Sequence, residues 1–179
     1  MILNEDNTLF LVIDIQEKLV RAIFNRDVVE KNSQILVKGA QILDLPMIVT
    51  EQYPQGLGES IEGIKVATSQ VFIKTDFNAL TDELLFQTLQ KSNKNQIVVF
   101  GIETHICVYQ TVLSLLEKGY EVIVVADACG SRKELEYKMS LDLLRASGAK
   151  IETTEMVLFE LLKSSKHPNF KEMQRLIKD

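Results

Sequence analysis

The chain has few of the features that identify several common protein classes. It has two cysteines and no Cys-x-x-Cys pair, so the sequence indicates a reducing compartment rather than a disulfide framework. It also lacks an apolar run approaching the roughly 20 residues of a membrane-spanning helix. Its first ten residues, MILNEDNTLF, are too polar for a secretory signal. We therefore expect a cytoplasmic protein with no membrane partner.

Positive charge is also scarce. Lysine and arginine number 20 against 25 acidic residues, which leaves a net charge of -5. A nucleic-acid-binding protein normally presents a basic face, and the largest basic cluster here is Lys163, Lys166 and His167 near the C-terminus. A solvated helix end explains that cluster, so we expect no nucleic-acid partner.

Several catalytic and cofactor-binding motifs are missing. No Gly-x-Gly-x-x-Gly follows the first predicted strand, and the chain has no P-loop lysine motif. It contains no His-x-x-x-His pair and no Gly-x-Ser-x-Gly elbow. These absences argue against a nucleotide fold of the usual kind, a zinc enzyme and a serine hydrolase. We expect no metal and no cofactor.

The apolar residues are arranged in short runs that alternate with amphipathic segments. With 179 residues and 46% hydrophobic content, the chain is large enough for one full core, and we predict a single domain over residues 1–179. Apolar runs rich in Val, Ile and Leu are typical of parallel strands buried on both faces. The fold class is therefore α/β, a three-layer α/β/α domain with a mostly parallel six-stranded, Rossmann-like sheet. The strands are predicted at 8–13, 46–50, 70–74, 96–100, 121–126 and 150–154, and the helices at 27–43, 79–92, from near 104, at 132–148 and, as two short helices, after 155.

One connection is longer than the others. Residues 51–69 contain three glycines and follow the second predicted strand. Long connections in compact domains are often lids or binding loops. A surface excursion with a little helix in it is the alternative interpretation, and both stay open.

Cys107 is predicted to lie in the first turn of the helix that follows the fourth strand. The helix dipole and free N–H groups at such a position can lower the pKa of a thiol. His105 is only two residues away and should face another side of the helix, so a carboxylate is the better candidate for the base. Cys129 is expected to be a small buried side chain of the core.

Two charged residues end other predicted strands. Asp14 follows the first apolar run, and Lys74 ends the third. Each alone could simply solvate a strand end. Because ligands bind at the carboxyl ends of parallel strands, Asp14, Lys74 and Cys107 together predict a nucleophile, an acid–base group and a cation in one site.

The segments VIDIQ, PMIVTEQYPQGLG, VFIKTDFNAL, GIETHICV and ADACGSR occur in this order along nearly the whole chain. In these segments the sequence resembles the isochorismatase-like cysteine hydrolases, and most closely the isochorismatase domain-containing group. The resemblance implies an isochorismatase-like hydrolase fold and a catalytic triad of Asp14, Lys74 and Cys107. It further implies a cis peptide at Ile102–Glu103 and an oxyanion hole formed by the backbone N–H groups of Glu103 and Cys107.

The activity implied by the resemblance is that of a metal-independent cysteine hydrolase. Such an enzyme would cleave a small non-peptide amide or related C–N substrate through a thioester on Cys107. The nicotinamidase branch has an Asp and two His as metal ligands after its second strand, whereas this chain has Glu51, Gln52 and Tyr53. We therefore expect a small-molecule substrate but not nicotinamide.

Five residues are candidates for the substrate pocket because they lie beside the triad or in the long connection; local packing is their alternative role. They are Gln16, Phe24, Gln52, Tyr53 and Phe77. A homo-oligomer is expected. The abundance of apolar residues in the late helices and the tail keeps a second function open, an oligomeric binding or scaffold protein that retains the hydrolase fold. A redox thiol protein ranks last, because Cys129 lies beyond the following strand.

Overall fold

A six-stranded parallel sheet forms the centre of the computed structural model, which describes residues 2–65 and 71–178. The strand order is β3-β2-β1-β4-β5-β6, and each described pair of neighbours is parallel. The predicted α/β fold with a parallel sheet is therefore confirmed. The strands are β1 (Thr8–Ile13), β2 (Met47–Gln52), β3 (Val71–Lys74), β4 (Gln96–Ile102), β5 (Glu121–Gly130) and β6 (Lys150–Glu152).

The two central strands have no exposed face. Every residue of β1 and of β4 is buried, which is why their sequences are continuous apolar runs instead of alternating patterns. Phe10 and Phe100 meet edge to face across the pair, with ring centroids 6.1 Å apart. The core therefore lies on both sides of these strands, and helices must cover both faces.

The helices pack in two layers. Helix α2 contacts α4, α8 and α9 on one face of the sheet, and α6 contacts α7 on the other, as right-handed connections in this strand order require. The helices are α1 (Glu17–Ala22), α2 (Arg26–Ile42), α3 (Pro54–Leu57), α4 (Glu62–Lys65), α5 (Glu83–Lys91), α6 (Tyr109–Glu117), α7 (Glu134–Ala146), α8 (Thr154–Leu162) and α9 (Phe170–Lys178), with 3-10 turns at Glu5–Asn7 and Ala79–Thr81 and a π-helical turn at Thr104–Val108.

Some predicted boundaries were wrong for local reasons. The segment predicted as one helix over 79–92 is split at Asp82, whose side chain accepts a hydrogen bond from the Leu85 N–H at 2.8 Å and so starts α5 as its N-cap. Strand β5 continues past the predicted end at Ala126 to Gly130, so Cys129 lies inside this strand, and its predicted position beyond the strand was wrong. Helix α1 was not predicted, and Gln70 of the third predicted strand lies outside the described residues.

The long connection after β2 is tied down at its start. It contains α3 and α4, and its residues 66–69 lie outside the described part of the chain. The Gln16 side chain donates to the Gly58 carbonyl at 2.6 Å and accepts from the Gln52 N–H at 2.7 Å. The amide of Gln16 therefore joins the end of β1 to the beginning of the connection, whose role as a lid stays a prediction.

Gly101 brings β1 and β4 close together at the edge where the strands end. Its φ is +143°, and a Cβ atom there would overlap with the Ile13 carbonyl oxygen. Only glycine tolerates both the backbone conformation and the close approach. This contact sets the position of the residue after Ile13, which is Asp14.

Candidate active site

Three strands bring Asp14, Lys74 and Cys107 to one edge of the sheet. Asp14 follows β1 in a left-handed backbone conformation with φ +50°, and Lys74 is the last residue of β3. Cys107 lies in the π-helical turn after β4. Because β2 separates β1 from β3, the long lysine side chain is needed to reach Asp14.

Asp14 and Lys74 form a buried ion pair. The Lys74 Nζ lies 2.7 Å from Asp14 Oδ2, and both side chains are almost wholly buried. The Thr50 hydroxyl donates to the other carboxylate oxygen, Oδ1, at 2.6 Å. Buried charges are tolerated when they are paired and hydrogen-bonded, and both oxygens of this carboxylate have a partner.

The ammonium group of Lys74 has further acceptors besides Asp14. It donates to Gln52 Oε1 at 2.7 Å and lies 3.2 Å from the Asp76 carbonyl oxygen and 3.4 Å from that of Phe77. An ammonium group has three N–H donors, so these contacts fix its position. The cation is therefore held in place beside the carboxylate.

The Cys107 thiol lies beside both members of this pair. It is 6% exposed and lies close enough to the side chains of Asp14 and Lys74 for their charges to act on its pKa. Burial and, next, the negative charge of Asp14 raise the pKa of Cys107 to about 12, while the positive charge of Lys74 opposes them. The lowered thiol pKa indicated by the helix start was wrong, because burial and the charge of Asp14 raise the pKa. At neutral pH the thiol keeps its proton, and Asp14 is the carboxylate whose charge acts on it.

The other cysteine and the nearby histidine have different environments. Cys129 is wholly buried, as predicted for a core residue, and burial raises its pKa to about 12. His105 Nδ1 lies 3.0 Å from the Ser131 hydroxyl, which follows β5. The His105 ring therefore contacts the β5 side of the turn, whereas the Cys107 thiol lies beside Asp14, which follows β1, and Lys74, which ends β3.

The backbone just before Cys107 has the expected cis peptide at Ile102–Glu103. The Glu103 side chain is buried and accepts hydrogen bonds from the backbone N–H and the Nε of Arg132, both at 3.0 Å. This contact joins the end of β4 to the start of the α7 segment. The oxyanion hole formed by the N–H groups of Glu103 and Cys107 stays a prediction.

Of the five pocket candidates, the two glutamines make hydrogen bonds within the protein and the three aromatic residues are exposed. Gln16 is buried and Gln52 is half-buried, and both use their amides in hydrogen bonds within the protein; besides Lys74, Gln52 donates to the Thr75 carbonyl oxygen at 2.6 Å. Tyr53 and Phe77 are exposed and adjoin Lys74 through backbone contacts. Phe24 packs on Tyr137 with ring centroids 5.5 Å apart. Their role as substrate-pocket residues stays a prediction.

Sequence reasoning missed two contributions to this site. Thr50, which orients Asp14, ends the apolar run PMIVT, so the rule that selected Asp14 and Lys74 as strand-end polar residues could have found it. Gln52 was considered only as a pocket residue, and its contact with the Lys74 ammonium group has no sequence signal. Neither role depends on local periodicity, because Thr50 and Gln52 lie in β2 and their partners, Asp14 and Lys74, come from the ends of the two neighbouring strands.

Within residues 2–65 and 71–178, no group of three or more His, Cys, Asp or Glu side chains is arranged to hold a metal ion. In the same part of the chain, none of the helices combines the length and apolar character that crossing a bilayer requires.

The sequence of the chain is similar to those of known proteins. A family model described as Isochorismatase domain matches residues 8–156. The chain is 39% identical over 176 residues to Isochorismatase domain-containing protein 2 of Xenopus laevis, covering 98% of this chain and 85% of that protein.

Two solved structures share the fold. The MAR1 ribonuclease of Caenorhabditis elegans superimposes with a TM-score of 0.94 at 35% identity, covering 100% of this chain and 93% of that one. The YcaC gene product of Escherichia coli is described as an octameric hydrolase of unknown specificity. It superimposes with a TM-score of 0.89 at 23% identity, covering 99% and 95% of the two chains.

Proposed function

The chain belongs to the isochorismatase domain family of hydrolases, and from this premise we propose that it is a metal-independent cysteine hydrolase of a small non-peptide amide or related C–N substrate. The observation that carries the proposal is the placement of the Cys107 thiol beside the buried Asp14–Lys74 pair, whose charges act on it. A nucleophile beside an oriented carboxylate and a fixed cation has the parts that acyl transfer needs.

In the proposed first half-reaction, Asp14 takes the Cys107 proton while the sulfur attacks the substrate carbonyl carbon. The thiol pKa of about 12 means that little thiolate exists beforehand, so proton transfer accompanies the attack. Lys74 stabilises the negative charge that moves between sulfur and carboxylate. The N–H groups of Glu103 and Cys107 bind the oxyanion, and one such donor typically contributes roughly 10²- to 10³-fold in rate.

The intermediate then collapses. The C–N bond breaks, the leaving amine takes the proton held by Asp14, and a thioester remains on Cys107. Asp14 next takes a proton from a water molecule, whose oxygen attacks the thioester carbonyl. The C–S bond breaks, Asp14 returns the proton to sulfur, and the products are a carboxylic acid and an amine or ammonia.

The proposal has a direct test in the two cysteines. Purified protein is assayed for ammonia release from a panel of small amides, ureas and carbamoyl compounds. Cys107→Ala should abolish turnover and leave the melting temperature within a few degrees of wild type. Cys129→Ala is the matched control, because it removes a buried thiol elsewhere in the core and should keep activity. A Cys107→Ala variant as active as wild type would end the proposal.

The assay panel also covers the alternatives. RNA is included because the relative with 35% identity is described as a ribonuclease. An oligomeric binding or scaffold protein is the second candidate, favoured by the exposed apolar residues of α7. That candidate predicts no turnover on any substrate and no effect of Cys107→Ala on ligand binding. We further propose a cytoplasmic homo-oligomer with a small-molecule substrate and without membrane or nucleic-acid partners.

A further inference from the structure

The outer face of α7 has a row of exposed apolar side chains. Leu135, Met139 and Leu143 are 69%, 52% and 48% exposed, and we call these three residues the α7 stripe. They recur every four residues, so they lie along one side of the helix. The opposite side of α7 buries Ser140, Leu141 and Leu144 against the rest of the protein. The stripe is therefore additional to the face that α7 needs for folding.

A row of alternating charges borders the stripe. Glu134, Lys138, Asp142 and Arg145, which we call the charged flank, follow one another at helical spacing, with signs minus, plus, minus, plus. They form the exposed ion pairs Glu134–Lys138 and Asp142–Arg145, 2.7 and 3.0 Å long. Exposed pairs of this kind contribute little to folding, so their charges remain available to a partner.

The order of these charges is self-complementary. Turning a second copy of α7 by 180° about an axis beside Met139 reverses the order of the flank. Glu134 then lies opposite Arg145 of the second copy, and Lys138 lies opposite Asp142 of the second copy. The centre of the charge pattern falls between Met139 and Ser140, while the centre of the α7 stripe is Met139 itself. Because the two centres lie within one residue of each other, a single two-fold axis pairs both the charges and the apolar side chains, as a two-fold interface requires.

The shape of the surface fits the same arrangement. Beside the stripe lies a groove of about 230 Å³, lined by His105, Tyr109, Glu136, Met139, Ser140 and Leu143. In the register set by the charges, Leu143 of the second copy lies opposite Glu136, at this groove. The groove is large enough to receive that side chain.

We infer that the α7 stripe and its charged flank form a two-fold interface between copies of this chain. The occupant is a second copy, because the charge order complements itself and its centre lies within one residue of the centre of the α7 stripe. Helix α7 also packs against the π-helical turn that contains Cys107, so the interface would brace that turn. This inference concerns assembly and does not depend on the proposed catalytic activity.

Sedimentation velocity of the wild-type chain at tens of micromolar should give the mass of a dimer or of a larger closed assembly. Met139→Glu places two carboxylates at the axis and should weaken association by roughly 100-fold or more. Leu84→Glu is the matched control, because Leu84 is an exposed leucine of α5, 58% accessible, and lies outside the stripe. Both substitutions are at exposed positions, so the melting temperatures should stay within a few degrees of wild type.

The charged flank provides a second, more specific test. Lys138→Glu with Arg145→Glu makes the flank wholly acidic, and Glu134→Lys with Asp142→Lys makes it wholly basic. Each double variant alone should associate at least about tenfold more weakly than wild type, and an equimolar mixture should regain association. A monomeric wild type, or an oligomer that Met139→Glu and both flank variants leave unchanged, overturns the inference.

Discussion

Replacing Asp14 with Asn should make Cys107 react faster with iodoacetamide, although the same change should abolish catalysis. Asp14 is one of the two largest causes that raise the pKa of the Cys107 thiol, and Lys74 opposes it. The amide of Asn removes the negative charge and leaves the lysine unopposed. The thiol pKa should therefore fall from its value of about 12.

The size of the effect follows from the thiolate fraction. A thiol with a pKa of about 12 is ionised to roughly 10⁻⁴ at pH 8. Each unit by which the pKa falls increases the fraction of thiolate about tenfold. Because a less basic sulfur is also a weaker nucleophile, the alkylation rate rises by only about threefold per unit. We expect alkylation to be roughly three- to tenfold faster for a pKa fall of one to two units.

Labelling is measured at pH 8 by mass spectrometry of the peptides that contain the two cysteines. Cys129 is wholly buried, so its labelling reports unfolding and corrects for any loss of stability caused by leaving Lys74 unpaired. Lys74→Met is the opposite perturbation and should slow the labelling of Cys107. If Asp14→Asn labels no faster than wild type while Cys129 stays unlabelled, the electrostatic coupling of Asp14 to the thiol is refuted, and its role as the proton acceptor loses support.

Two further predictions concern stability. Burial raises the pKa of both Cys107 and Cys129 to about 12, above their usual value of 9.0, so folding favours the protonated thiols. This stability is fully present below pH 9 and is lost as the pH rises towards 12. The free energy of unfolding, measured with urea, should therefore decline over this range by up to about 1.4 kcal/mol per pH unit for each thiol. The decline should be smaller in Cys129→Ala, and a free energy of unfolding that does not change with pH would contradict the prediction. Gly101→Ala should destabilise by about 3 kcal/mol or more, because its Cβ meets the Ile13 carbonyl at a positive φ. Gly119→Ala, also at a positive φ but with nothing within 4 Å of its Cβ, should cost only about 1 kcal/mol, and equal losses in thermal melts would contradict the steric argument.

The sheet and the edge that carries the candidate site could be predicted from the sequence. Buried parallel strands need apolar residues on both faces, so β1 and β4 appear as continuous runs, and a charged residue directly after such a run marks a strand end. That rule identified Asp14 and Lys74. Element boundaries were less predictable, because the start of α5 depends on a hydrogen bond from Leu85 to Asp82 rather than on hydrophobic spacing.

The chemical state of the site could not be predicted in the same way. The position of Cys107 at a helix start indicated a lowered pKa, whereas the folded environment raises it, because burial and the distance to Asp14 depend on elements far apart in the chain. The contacts of Thr50 with Asp14 and of Gln52 with Lys74 also come from the strand order, in which β2 lies between β1 and β3.

By itself the sequence determined the type of fold, the family and the three residues to examine, since each depends on residue types at local spacings. Only the tertiary structure decided that Thr50 and Gln52 hold the charged pair, that the thiol is protonated at rest, and that the α7 stripe stays exposed. Burial and electrostatic energy depend on distances between side chains from different strands and helices, and those distances exist only once the sheet has assembled.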